Sequence, residues 1–253
     1  MHSSLIAWIM RAIPFGTIIM YGALGETVTE KSGNLNLGVP GIMYLGGFAG
    51  FASAWAYENS AANPNGFVSI LIALSCAILA SMAGGLIYAF LTISLRANQN
   101  VTGLALTIFG TGFANFFGEM MIRNTPGGQP KLPAGLLNLL AERPLLGDLQ
   151  IPVLSKLLST NPLVYLAIIL AIVCSFYISR TRTGLKMRSV GENPGAADAA
   201  GVNVSLMKYV NILVGGGICG LGGAYIALIN GGGVWNNGAV NGQGWIAVAL
   251  VIF

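Results

Sequence analysis

The sequence predicts an all-α protein: a polytopic bundle of membrane helices with one short helix standing outside it on the cytoplasmic side. Three observations predict this. Of the 253 residues, 55% are hydrophobic and only 8% are charged, whereas soluble domains carry about a quarter charged residues. With a mean hydropathy of +0.74, such a surface has to be covered by lipid. Apolar runs of about 20 residues, the length that crosses a bilayer as a helix, recur along the chain. The 36 glycines point to helices whose backbones approach closely. The net charge of +4 is too small and too scattered for nucleic-acid binding and is better read through its distribution between loops.

Taken in order, the apolar runs place spans at Leu5–Gly25, Gly38–Tyr57, Phe67–Leu95, Val101–Ile122, Pro162–Ser179 and Tyr209–Ile229. The first has an early charge but no small-residue cleavage site after it, so it is expected to be retained as a span. A seventh run begins at Trp245 and reaches Phe253 too soon to cross, so the sequence is expected to be a piece of a longer protein. Arg180, Arg182, Lys186, Arg188 and Lys208 crowd the segment 180–208, which the positive-inside rule assigns to the cytoplasm. Counting back, the turns holding Arg96 and Lys31 fall inside, while Glu58, the segment 123–161 and the N-terminus fall outside. Within that outer segment "NTPGGQPKLPAG" is Pro/Gly punctuation. The following "LLNLLAERPLL" fits an amphipathic helix at the membrane surface, either a docking surface for an external partner or a plain connector.

Little in the chain can perform covalent chemistry. The single histidine is His2, and Cys76, Cys174 and Cys219 are scattered through apolar runs where thiols behave as small hydrophobes. No metal site, disulfide or cofactor is expected. No G-x-x-x-x-G-K-S/T loop is present, so the chain does not hydrolyse ATP itself. "GGGICG" at 215–220 matches a dinucleotide-binding pattern in letters only, since no strand precedes it. Gly216, Gly220 and Ala224 lie instead on one helix face, where small residues let backbones approach.

Between two apolar runs stands "RTRTGLKMRSVGENPGAADAAGV". Asn193 is a good N-cap, Pro194 suits the first helical position and Gly201 is placed to end the helix. The enclosed helix is about two turns long, and an isolated helix that short is marginal in water. It needs a groove in a neighbour. Its residues "GLKMRSVGENPGAADAAGVNV" resemble the cytoplasmic coupling segment of permease subunits of bacterial ATP-binding-cassette importers, in the branch handling simple sugars and nucleosides that is related to branched-chain amino acid permeases. "GALGETVTEKSGNLNLGVPGIMYLGGF" from Gly22, "RANQNVTGLALTIFGTG" from Arg96 and "NGQGWIAVALVIF" from Asn241 are similar to further motifs of that family. The resemblance covers essentially all 253 residues, with two further helices of the family beyond Phe253. Gly195 departs from the bulkier residue commoner there, and Val39-Pro40 from a frequent Glu.

The resemblance implies a single transmembrane permease domain over 1–253, a multi-pass protein of the bacterial plasma (inner) membrane, with a cytoplasmic coupling loop at 180–208 and an extracytoplasmic loop at 123–161. It implies a permease rather than an enzyme, importing a small polar solute such as a nucleoside or simple sugar. Its partners would be a separate ATPase subunit, a second permease subunit that is a longer homologue, an extracytoplasmic solute-binding protein and the lipid bilayer. Gly191, Glu192, Asn193, Pro194, Ala196, Ala197, Asp198, Ala200 and Gly201 would form the ATPase contact, closest at Ala197 and Ala200.

The residues themselves supply candidates for the solute path, because polar groups within spans are costly unless partnered. Asn34 and Asn36 follow a glycine and interrupt the helix. Asn98, Gln99 and Asn100 open another span. Thr107, Thr111 and Asn115 recur every four residues on one stripe. Neutral amides and hydroxyls suit a polyhydroxylated neutral solute, or alternatively bond neighbouring helices. Glu119 is expected to pair with Arg123 one turn on. Glu26 and Glu30 repel at their spacing, so one of them needs a partner or serves in gating. A secondary transporter or channel not driven by ATP remains the alternative, but it calls for ionisable groups deep in the spans that this chain largely lacks.

Overall fold

The computed structural model describes residues 2–144, 159–240 and 242–253. The part of the outer segment over 145–158 lies outside the described residues. Helices dominate: α1 His2–Lys31, α2 Val39–Ser60, α3 Gly66–Ala89, α4 Gln99–Asn124, α5 Ala134–Leu139, α6 Pro162–Arg180, α7 Arg182–Glu192, α8 Pro194–Ala199, α9 Val204–Tyr225 and α10 Gln243–Ile252. Wider π-helical turns extend α3 over Phe90–Ser94 and α9 over Ile226–Asn230. Arg143–Pro144 pairs antiparallel with Ser159–Thr160, a two-residue ladder beside an otherwise all-α bundle. The surface helix foreseen in the outer segment is reduced to the six residues of α5.

Four helices among the described residues are long and apolar enough to cross a membrane: Gly66–Ser94, Gln99–Asn124, Pro162–Arg180 and Val204–Asn230. The first two runs of the sequence form helices of 30 and 22 residues. In α2 every residue from Val39 to Gly47 is buried against other helices, which calls for small residues more than oily ones.

The bundle is layered around α9. It is 83% buried over its span, against 22–33% for α3, α4 and α6, whose outer faces carry exposed Leu79, Phe116 and Ile172 for lipid. Helix α9 packs on α1, α2 and α3, while α10 packs on α1 and α2. Glycine sits at each crossing. Gly215 of α9 meets the Gly25 carbonyl of α1, Gly223 meets the Met43 carbonyl of α2, and Gly220 meets Ser81 of α3. Gly41 and Gly110 bring α2 and α4 together in the same way. The sequence reads one small-residue face on α9 (Gly216, Gly220, Ala224). The fold uses the others too, because α9 is surrounded.

Candidate functional site

Between α1 and α2 the chain is irregular from Ser32 to Gly38, and buried: Ser32, Asn34 and Asn36 are at most 2% exposed. Irregular backbone survives inside a membrane bundle only where protein or enclosed water satisfies it. Here side chains from three helices do so. The Leu35 N–H donates to Gln99 Oε1 at 2.9 Å and the Asn36 N–H to Glu26 Oε1 at 2.7 Å. The Tyr88 hydroxyl donates to the Leu35 carbonyl at 2.6 Å and Thr107 Oγ1 to the Leu37 carbonyl at 2.9 Å. Asn36 Oδ1 accepts from the Gly38 N–H at 2.8 Å, and Gly33 makes the sharp turn at φ 89°. Glu26 Oε2 and Asn34 Oδ1 are buried without a hydrogen-bond partner.

Four sequence candidates therefore converge on this turn: Asn34, Asn36, Gln99 and Thr107. Asn98 and Asn100 do not join them. Asn98 is exposed and caps α4, its Oδ1 accepting from the N–H groups of Asn100 and Val101, while Asn100 sits exposed in the first turn of α4. Glu26 enters as the acceptor that holds Asn36. Tyr88 had no signal in the sequence, since it lies in the apolar run of α3, 53 positions from the residue it binds.

The stripe on α4 continues to the opposite end of the bundle. Thr111, Asn115 and Glu119 are half-buried there, the last two against the glycine-rich segment after α9. The Gly238 N–H donates to Asn115 Oδ1 at 3.3 Å, and Asn237 Nδ2 to Glu119 Oε2 at 3.1 Å. Glu119 also receives Arg123 Nε at 3.1 Å, the pairing expected from their spacing. The Trp235 indole donates to Asn237 Oδ1 at 3.0 Å and lies over Gly118. From Asn237 the chain reaches α10, where Gly244 packs against Pro40 at the start of α2. On α4, Thr107 lies about 12 Å below Asn115 at 1.5 Å per residue.

The basic end carries α7 and α8. Asn193 alone joins them: its N–H donates to the Ser189 carbonyl at 2.9 Å and its Oδ1 accepts from Ala196 N–H at 3.0 Å. Gly201 closes α8 at φ 79°. Gly191 is half-buried, while Glu192, Asn193, Pro194, Gly195, Ala196, Asp198, Ala200 and Gly201 are exposed. Ala197 is not; at 3% exposure it faces its own chain, and its carbonyl receives the Val202 N–H. The expectation that Ala197 is a point of closest external fit is corrected accordingly. A six-residue helix must anchor one side somewhere, and it does so through this methyl.

Residues 8–253 match the family described as the branched-chain amino acid transport system / permease component. Relatives include a putative glucose ABC transporter permease protein of Haloferax volcanii, 34% identical over 94% of this chain and 67% of its own length. A guanosine ABC transporter permease protein of Bacillus subtilis is 36% identical over 91% of this chain and 70% of its own. A nucleoside ABC transporter permease protein of Lactococcus lactis is 31% identical over 94% and 72%. No solved structure matches the chain. With four apolar spans and this kinship it is a multi-pass plasma-membrane protein and a permease subunit of an ATP-binding-cassette transporter. The chain belongs to the branched-chain amino acid transport system / permease component family.

Proposed function

We propose that the chain imports a small neutral polar solute, a nucleoside or simple sugar, driven by a separate ATPase subunit that grips α8. The observation that carries the reading is α8 itself: a capped, six-residue, alanine-rich rod with one side anchored through Ala197 and the other exposed. Such a rod has little to bury in its own chain and gains order from a partner's groove. The side facing the ATPase is formed by Pro194, Gly195, Asp198 and Gly201, with Asn193, Ala196 and Ala200 flanking it, and Gly191 and Glu192 lead into it. The segment 180–208 is then cytoplasmic and 123–161 extracytoplasmic, where a solute-binding protein delivers cargo.

The solute path runs along α4. Thr111 and Asn115 at the outer half, and Asn34, Asn36, Gln99 and Thr107 around the inner turn, offer amides and hydroxyls rather than charges, which fits a sugar or ribose better than an amino acid. Asn98 and Asn100 mark its inner mouth. The path is open on the flank of α4 that exposes Leu104 and Ile108, and a second permease, a longer homologue of this one, closes it. The names of the relatives, glucose and nucleoside permeases, support the same solute class.

The test is bulk on the exposed side of α8. Gly195→Trp and Ala200→Trp are each expected to weaken ATPase copurification tenfold or more, since overpacking a fitted contact costs about 1–3 kcal/mol and 1.4 kcal/mol is a factor of ten. Both variants should insert and fold normally, because their side chains leave the bundle untouched. Undiminished copurification and uptake in both would end the docking reading. Competition of uptake by unlabelled nucleosides and hexoses then separates the two solute classes.

A further inference from the structure

We infer that the buried turn 32–38 is the element through which movement of α8 reaches the membrane helices, with the backbone contact between Gly191 and Gly33 as the strut. The inference rests on the reading of α8 as the ATPase contact. Four observations carry it. Helices α7 and α8 are joined by Asn193 alone, hydrogen-bonded to both, so they move as one elbow. Met187 and Val190 of α7 are fully buried, which keeps that elbow seated on the bundle. At its inner corner no side chain intervenes: a Cβ on Gly33 would stand 3.1 Å from the Gly191 Cα, and one on Gly191 would strike the Lys31 carbonyl oxygen. Finally, the turn that Gly33 opens is no loose loop, because Glu26, Tyr88, Gln99 and Thr107 tie its backbone to α1, α3 and α4.

Those four facts decide how displacement is shared. Two flexible side chains at a contact absorb a shift of an ångström by changing rotamer, whereas backbone against backbone has no such give, and packed interfaces respond by switching arrangement rather than deforming. A push on Gly191 is therefore handed to Gly33. From there it passes to the start of α2 and, through Gln99 and Thr107, to the helix that carries the polar stripe. Gly191 and Gly33 are positioning residues that touch neither nucleotide nor solute.

The experiment uses the whole complex reconstituted in liposomes, with ATP hydrolysis and solute uptake measured together. Gly33→Ala presses a methyl toward the Gly191 Cα, 3.1 Å away, and strains the turn at φ 89°, without touching α8. ATPase copurification and basal hydrolysis should stay at the parent level, while solute moved per ATP hydrolysed falls tenfold or more. A merely structural role predicts that all three fall together. An unchanged ratio of uptake to hydrolysis overturns the inference. If Gly33→Ala does not assemble, a reversible lock decides. Glu30 and Arg188 line the cleft beside the contact, and Glu30→Cys with Arg188→Cys can be bridged by a short bis-methanethiosulfonate reagent. A strut tolerates the bridge, so uptake should persist within about twofold. A tenfold loss, restored by reductant and absent from the single-cysteine variants, shows that the two surfaces slide and sinks the strut. Failure of the parent chain to retain any ATPase subunit would instead remove the docking reading on which the inference stands.

Discussion

Gly223→Leu is expected to abolish the folded bundle, while Gly16→Leu in the same chain leaves it intact. A Cβ at Gly223 would overlap the Met43 carbonyl oxygen and crowd the Gly47 N–H, so the first added carbon meets backbone that no rotamer can move aside. Helix α9 cannot retreat, because α1 and α3 hold it from the other sides through Gly215 and Gly220. Overpacking a core by less than this costs about 1–3 kcal/mol, which at ~2–4 °C per kcal/mol for a chain of this size already lowers the apparent Tm by up to about 12 °C. Leucine adds three more carbons beyond the first. Gly16, by contrast, has nothing within 4 Å of the point where a methyl would stand, and its side chain would enter lipid. Fluorescence-detected size exclusion in detergent reads both: a monodisperse peak for Gly223→Leu would mean that α2 and α9 do not meet at this point.

That prediction marks what the sequence discloses and what it withholds. Glycine spacing on α9 announces that something packs closely, but only the assembled bundle says that Gly223 faces α2 and Gly215 faces α1. Helices are legible because each is dictated by a local run, and the ends of α8 are legible because Asn193, Pro194 and Gly201 act on their immediate neighbours. The turn 32–38 is legible as an interruption and illegible as a network. Its ties come from Tyr88, Gln99 and Thr107, at separations of 53, 64 and 70 positions, and nothing in an apolar run singles out one tyrosine. Ala197 fails for the same reason. In a stretch of alanines the sequence cannot say which methyl turns inward, since that depends on where α9 begins beneath it. Asn98 is the opposite case, a residue whose local capping of α4 follows from its immediate neighbours.

Glu26→Leu is expected to cut transport severalfold or more while barely moving stability, and Glu26→Gln to preserve both. Glu26 is fully buried. One oxygen accepts the Asn36 N–H at 2.7 Å and the other has no partner. Leucine removes a carboxyl oxygen that was costly to bury, a gain, and strands the Asn36 N–H, a loss of about 1–3 kcal/mol. The two nearly cancel in the free energy of the whole bundle, as replacing buried ionisable groups by apolar ones often does, so the apparent Tm should shift by only a few degrees. They do not cancel locally. The orphaned N–H belongs to the turn, and a local penalty of that size lowers the equilibrium constant for the pinned arrangement roughly 5- to 150-fold. Uptake, which needs the turn in place between α1, α3 and α4, should fall about fivefold or more. Glutamine keeps an oxygen where Asn36 requires an acceptor, so it should transport nearly as the parent does. Uptake by the leucine variant equal to that of the glutamine variant would show that the Glu26–Asn36 bond does not hold the turn, and a dead glutamine variant would show that the acid itself, rather than its place as an acceptor, is what the permease uses.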